Sequence, residues 1–328
     1  MAKPKLPTPN FHLPSLIAGP TAVGKSQIAL QLAEQFGGEI ISADSMQVYR
    51  GLDIGTAKPS PADRARVPHH LIDICDLTES FDAAQFARLA HRAVAEIQSR
   101  GRVSILCGGT GLYFKAFLEG LGEMPSADAK LRAELEATPL EKLLSELRER
   151  DPVTYGKIDK KNPRRVIRAV EVIRLTGRPF SDVQSPKSEV QSPKLKFVCL
   201  TRSTDDLRKR IDARVDAMFA RGLVDETREL LQHGLEQNKT AMQAIGYRQV
   251  AEHLRGKRSL AETIELVKIR TRQFAKRQLT WFRAQKNLEW IELKPDESVE
   301  AVVAKLATRN WIWTVKILVS EPRNEKSV

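Results

Sequence analysis

Short apolar runs separated by amphipathic segments fill the first 110 residues. Residues 16–18 form a small apolar run that leads into glycine. Residues 26–36 carry Ile28, Ala29, Leu32 and Phe36 at helical spacing. Residues 39–43 read as the next strand. Residues 83–98 place Phe86, Ala90, Ala93, Val94 and Ile97 on one helical stripe, and residues 102–107 read as a third strand closed by Gly108 and Gly109. Strand, helix, strand, helix, strand predicts a parallel sheet with helices on both faces. Ligands of such sheets sit beyond the carboxyl ends of the strands.

From about residue 126 the spacing turns helical, most clearly over 129–136, 140–149 and 164–175. Residues 180–194 read as a loop holding Val-Gln-Ser-Pro-Lys twice, at 183–187 and 190–194. Residues 196–201 read as a strand that returns to the sheet, followed by helix from 204 to about 286. The tail at 311–319 alternates in the manner of an edge strand. The boundaries that follow are a core over 1–204 with a helical insertion at about 121–160, a helical part over 205–309, and a tail over 310–328.

The chain has 328 residues, 41% of them hydrophobic and 29% charged, the composition of a folded globular chain. No apolar run reaches the length that spans a bilayer, and no leader is legible at the start, which points to the cytoplasm and away from membranes. Cys75, Cys107 and Cys199 lie far apart; they predict neither a disulfide framework nor a zinc site. The net charge is +12, and it is unevenly placed. Residues 1–120 hold 12 basic and 11 acidic side chains, while 121–328 hold 41 and 30. A polyanion such as nucleic acid would therefore meet the second part of the chain.

Gly19-Pro20-Thr21-Ala22-Val23-Gly24-Lys25-Ser26 fits the phosphate-loop pattern between a strand and a helix. Glycines let the backbone wrap an anion, and the N–H groups and dipole of the helix start favour negative charge there. Lys25 adds a point charge, and the Ser26 hydroxyl is a candidate magnesium ligand. The motif marks a nucleotide-binding, ATP-binding type of loop. It specifies a di- or triphosphate without choosing between them.

Asp44 follows the second strand on the same rim. It fits a magnesium ligand, a base for an incoming nucleophile, or a plain turn aspartate. Gly108-Gly109-Thr110-Gly111 follows the third strand and puts the Thr110 hydroxyl at that rim. The third strand ends in glycine where a nucleotide hydrolase would carry aspartate, which favours group transfer over hydrolysis. Arg164, Arg165 and Arg168 open a helix after Asn162-Pro163; they fit a clamp on phosphate or a solvated face paired with Glu171. Residues 266–288 hold seven cations and no acid, a charge that an RNA backbone would relieve. Trp281 fits either core or a stacking surface. His69 and His70 read as structural. These residues leave open a group transferase acting on RNA, a small-molecule kinase and an RNA-binding nucleotide switch.

The ordered motifs GPTAVGKS at 19–26, ISADSMQVYRGLDIGTAKP at 41–59, PHHLIDI at 68–74, GGTGLYFKAFLEGL at 108–121, NPRRVIRAVEV at 162–172, AIGYRQV at 244–250 and RTRQFAKRQLTWFR at 270–283 resemble the bacterial tRNA dimethylallyltransferase (tRNA isopentenyltransferase) family. The resemblance implies a P-loop NTPase-like α/β fold with a mostly helical insertion and a helical C-terminal part. It also implies transfer of a dimethylallyl group from dimethylallyl diphosphate to N6 of adenosine-37 beside the tRNA anticodon, by a monomer. The phosphate loop, Gly19 to Ser26, would then hold the diphosphate leaving group in place of ATP, with Mg2+ on Ser26. Asp44, Lys25 and Thr110 would be catalytic. By motif position the tRNA would touch Asp44, Ser45, Met46, Gln47, Thr110, Arg132, Arg164, Arg165, Val166, Ile167, Arg168, Gln243, Ala244, Ile245, Gly246, Tyr247 and Arg248. The doubled segment and the tail fall outside the shared pattern.

Overall fold

The computed structural model describes residues 14–122, 124–184, 197–285 and 288–308. The chain opens with β1 (Ser15–Ala18), α1 (Lys25–Phe36), β2 (Gly38–Ala43), α2 (Pro61–Arg66), β3 (His69–His70), α3 (Ala83–Ser99), β4 (Val103–Gly108) and α4 (Gly111–Glu119). Five helices follow: α5 (Ala129–Ala137), α6 (Leu140–Arg150), α7 (Pro152–Lys157), α8 (Pro163–Thr176) and α9 (Phe180–Gln184). It continues with β5 (Phe197–Thr201), α10 (Thr204–Ala220), α11 (Leu223–Gln232), α12 (Tyr247–Leu254), α13 (Leu260–Arg283), β6 (Glu289–Glu292) and α14 (Val299–Thr308).

The six strands form one parallel sheet in the order β3-β2-β4-β1-β5-β6. Every residue of β1, β2 and β4 is buried, as expected of central parallel strands covered on both faces. One face carries Ile17, Ile105, Val198 and Leu200, which pack with Ile28 and Leu32 of α1. Leu16, Ile41 and Leu106, which alternate with such positions, are equally shielded. Gly108 is required where β4 meets β2, because a Cβ there would lie 2.1 Å from the Ala43 carbonyl oxygen.

Two strands escape the sequence pattern. β3 is the His69–His70 pair at one edge, and β6 closes the other edge beside β5. β6 has four residues, three of them exposed, so it lacks the buried alternation that marks a strand. The tail, to which the sequence assigned an edge strand, lies outside the described residues, as does most of the doubled segment. Residues 180–184, the start of the expected 180–194 loop, form the short helix α9. His70 bonds Glu39 at 2.6 Å, the structural role read for it.

The domain boundaries also differ. The described residues form two compact units: one holds those through Phe117 and from Phe197 onward, the other Leu118 through Gln184. The helices after 204 do not form a separate part. Leu207, Ile211 and Val215 of α10, Val267 and Ala275 of α13, and Val302, Val303 and Leu306 of α14 enter the core built on the sheet. The helical insertion, expected to end near 160, runs on through α8, whose Val166, Ile167, Val170 and Ile173 pack with Leu135, Leu143 and Leu147. None of the described helices is long and apolar enough to cross a membrane.

Candidate active site

The phosphate loop leaves β1 at Gly19, whose φ is +145°. A Cβ there would come within 2.5 Å of the Leu200 carbonyl oxygen, so this turn admits only glycine. Ala22 (φ 63°) and Gly24 (φ 111°) wrap the backbone onward to α1. Gly24 caps α1 without a side-chain hydrogen bond, and the first turn holds no acid. The N–H groups of that turn are thus left for an anion.

Cations surround the loop. Lys25 Nζ donates to the Pro20 carbonyl at 2.6 Å. Burial lowers its pKa to about 8, with Arg214 adding to the shift and Cys107, Asp44 and Cys199 opposing it. Arg214 itself is lowered by burial, partly offset by Asp44. Arg202 Nε donates to Val23 O and Arg210 Nε to Ala22 O, each at 2.9 Å. These bonds engage the carbonyls of two successive loop residues. Cys107 pairs with Ile17 and Cys199 with Ala18 on the two strands beside β1; burial pushes their thiols up to about 11 and about 12, and both stay protonated.

Asp44 sits one residue beyond β2. Its Oδ1 accepts the Met46 N–H at 2.9 Å and the Gln47 N–H at 3.4 Å, a local turn that fixes the carboxylate. The Thr110 Oγ1 accepts the Ser45 N–H at 3.1 Å, leaving its own proton to donate elsewhere. Gln47 accepts from Ser42 Oγ at 2.9 Å and donates to Thr56 O at 3.2 Å. Gln278, on α13, accepts the Thr21 N–H and donates to Gly109 O, both at 2.9 Å.

These groups line one pocket of about 380 Å³. Lys25, Ser26 and Arg214 face it together with Asp44 and Thr110, while Val215, Met218, Ile245, Val267 and Phe274 supply apolar wall. A cationic phosphate cradle, a fixed carboxylate, a hydroxyl and an apolar lining therefore share one space. That suits an amphiphilic anion reacting with a polar nucleophile.

A family model described as IPP transferase matches residues 47–285. The chain belongs to this family. It is 47% identical over 285 residues to the tRNA dimethylallyltransferase of Geobacter metallireducens, covering 84% of this chain and 91% of that one. It is 48% identical over 299 residues to that of Halorhodospira halophila, covering 89% and 96%. The crystal structure of the Bacillus halodurans tRNA isopentenylpyrophosphate transferase is similar at 41% identity and TM-score 0.65, covering 90% of this chain and 95% of that one. A eukaryotic dimethylallyltransferase acting on tRNA gives TM-score 0.72 at 28% identity, covering 90% and 79%.

Within this family member, the first unit brings together most of the site residues read from sequence. Gly19 to Ser26, Asp44 to Gln47, Thr110 and the 243–245 stretch all border the pocket or its loops. Gln243 and Arg248 are exposed, but Tyr247 is fully buried. Its hydroxyl donates to Glu226 at 2.6 Å and accepts the Gly55 N–H at 3.0 Å. Its side chain is structural, not a surface contact.

Arg132, Arg164, Arg165, Val166, Ile167 and Arg168 belong to the second unit. Arg132 and Arg168 donate to one oxygen of the fully buried Glu171 at 2.5 and 2.6 Å. The paired reading therefore applies to Arg168. Val166 and Ile167 are core of that unit.

Sequence reasoning missed Arg214, Arg202, Arg210 and Gln278, whose roles arise only from tertiary placement. The α13 charge is also less bare than its local sequence suggests. Lys268 pairs with Asp216 and Arg272 with Asp212, each at 2.8 Å. Trp281 lies partly covered, against Gly111: a Cβ on that glycine would be 2.3 Å from the indole ring.

Proposed function

We propose that this chain transfers a dimethylallyl group from dimethylallyl diphosphate to N6 of adenosine-37 in the anticodon stem-loop of tRNA, releasing diphosphate. The proposal includes action as a monomer in the cytoplasm, with the phosphate loop holding the diphosphate and no ATP consumed. The observation that carries it is the sharing of one pocket by Lys25, Arg214, Asp44 and Thr110. The names of the relatives support the substrates.

The chemistry follows from those groups. The N6 lone pair forms a bond to the allylic C1, and the C1–O bond breaks with its electron pair leaving on the diphosphate. The N6 proton passes to Asp44, whose orientation is fixed by the Met46 and Gln47 N–H groups. Lys25, Arg214 and the α1 N–H groups take up the charge that grows on the leaving oxygens. The apolar wall of Val215, Met218 and Val267 excludes water that would compete with the amine. An exocyclic amine in a stacked loop is not accessible in line, so the purine enters flipped out.

Magnesium fits this site. Ser26 is exposed beside Lys25, and its hydroxyl makes no hydrogen bond to a described residue. Among the described residues no group of three His, Cys, Asp or Glu side chains forms a metal cage. A single hydroxyl suits an ion that takes most of its ligands from water and substrate phosphates. When bound through Ser26, magnesium would supply charge neutralisation of the diphosphate.

The test is incubation with labelled dimethylallyl diphosphate and unmodified tRNA. Label recovered in the RNA on adenosine-37 supports the proposal. ATP turnover with no label in the RNA overturns it.

A further inference from the structure

Gln278 stands between two turns that are far apart in sequence. Its amide oxygen accepts from Thr21, 257 residues away, and its amide nitrogen donates to Gly109, 169 residues away. The residue is only 8% exposed. The fit is close: a Cβ on Gly109 would lie 2.2 Å from the Gln278 Nε2. One turn carries the diphosphate cradle. The other carries Thr110, which receives the Ser45 N–H next to Asp44.

We propose that Gln278 is a positioning residue that locks the phosphate loop to the Thr110 turn, so that the leaving-group site and the base-side site are held in one register. This rests on the reading of the loop as a diphosphate site. Gln278 lines the same pocket, and the role assigned to it runs through the two turns. It acts by fixing Thr21 and Gly109, the residues at which the two half-sites meet. The amide is chemically specific for the task, because one end must accept and the other must donate at the same time.

That requirement gives a test with a distinctive signature. In Gln278→Glu the ionised carboxylate still accepts from Thr21, but its second oxygen faces the Gly109 carbonyl. When protonated, the same side chain restores both bonds, since the acid O–H donates to Gly109 O. Burial and the facing carbonyl raise the pKa of this acid. Gln278→Leu keeps the volume and loses both bonds at every pH.

Affinity for inorganic diphosphate is measured by calorimetry between pH 6 and 8.5 and expressed relative to wild type at each pH. The Leu variant is expected to bind roughly tenfold more weakly throughout. The Glu variant is expected to match that loss at pH 8.5 and to recover toward wild type at pH 6. Prenyl transfer to tRNA, measured in parallel, is expected to follow the same pattern in kcat. A Leu variant that binds as wild type does, with a Glu variant weakened only when ionised, would show a simple charge effect and overturn the proposal. A Glu variant weakened equally at both pH values would overturn it too, even if the Leu variant failed to fold. Wild-type protein that binds no diphosphate would sink both this role and the reading of the loop. Wild-type protein that binds diphosphate yet leaves tRNA unlabelled would sink only the assigned reaction.

Discussion

The Ser45 N–H donates to the Thr110 Oγ1 at 3.1 Å, tying the turn after β2 to the turn after β4. With that lone pair engaged, the Thr110 proton is free for a substrate atom beside Asp44. Thr110→Ala removes both functions, and Thr110→Ser keeps both. The Ala variant is expected to lose on the order of 10² in kcat, with the Ser variant within a few fold of wild type. Steady-state transfer assays check this; equal rates for Ala and Ser would remove the hydroxyl from the chemistry.

Asp44→Asn keeps an oxygen for the Met46 N–H but cannot take a proton at neutral pH. It is expected to lower kcat by on the order of 10² or more while leaving diphosphate affinity within a few fold. Single-turnover rates at saturating substrates separate the two effects. A normal rate would show that the N6 proton leaves by another route.

Lys25 has a folded pKa of about 8 against an ordinary 10.5 because burial penalises its charge. In the free protein it therefore loses its proton as pH rises through about 8. Between about 8 and 10.5 the unfolded chain binds more protons than the folded one, so this residue's contribution to stability rises with pH there. Diphosphate draws the charge back, so binding near pH 8.5–9 should take up a proton. Calorimetry in buffers of different ionisation enthalpy reads that uptake. Lys25→Arg should abolish it, since guanidinium stays charged.

Glu39 lies at the far end of β2, bonded to His70 at 2.6 Å and Arg100 at 2.7 Å. Burial pushes its carboxyl upward, but the His70 and Arg100 hydrogen bonds outweigh this and hold it below the ordinary carboxylate range. Its stabilisation is thus full above the unfolded pKa and lost as pH falls through the folded one. Glu39→Gln should cost about 1–3 kcal/mol at pH 7, discounted for its half-exposed partners. The gap to wild type should close toward pH 3 in urea titrations. A pH-independent gap would point to packing instead of charge.

Arg165, Arg248, Lys276 and Arg277 are exposed. If such cations meet the RNA backbone, affinity for tRNA should fall roughly tenfold or more between 50 and 200 mM salt. Filter binding across that range measures the slope. A flat profile would remove backbone contacts from the account.

The sequence made the phosphate loop, Asp44 and Thr110 legible because each is a local pattern at a strand end. β1, β2, β4 and α1 are legible for the same reason. Arg214 is not, since no motif covers it, and Gln278 sits inside the 270–283 motif without any local sign of its role. Gln278 gains its partners from residues more than 160 positions away. β3 and β6 have two and four residues, too few for periodicity to register. The 266–288 window overstates the bare charge on α13, because Asp212 and Asp216 lie on α10 and Glu265 lies one residue before the window.

Helix α13 carries Lys268, Arg272, Gln278 and Trp281 along one continuous 24-residue element. An α-helix turns about 100° per residue. A single inserted residue between Arg272 and Gln278 would swing the amide off both turns and lift the indole from Gly111, while the anchors on α10 stayed put. The shaft therefore works like a key whose teeth must all meet their pins at once, which leaves its length intolerant of insertion.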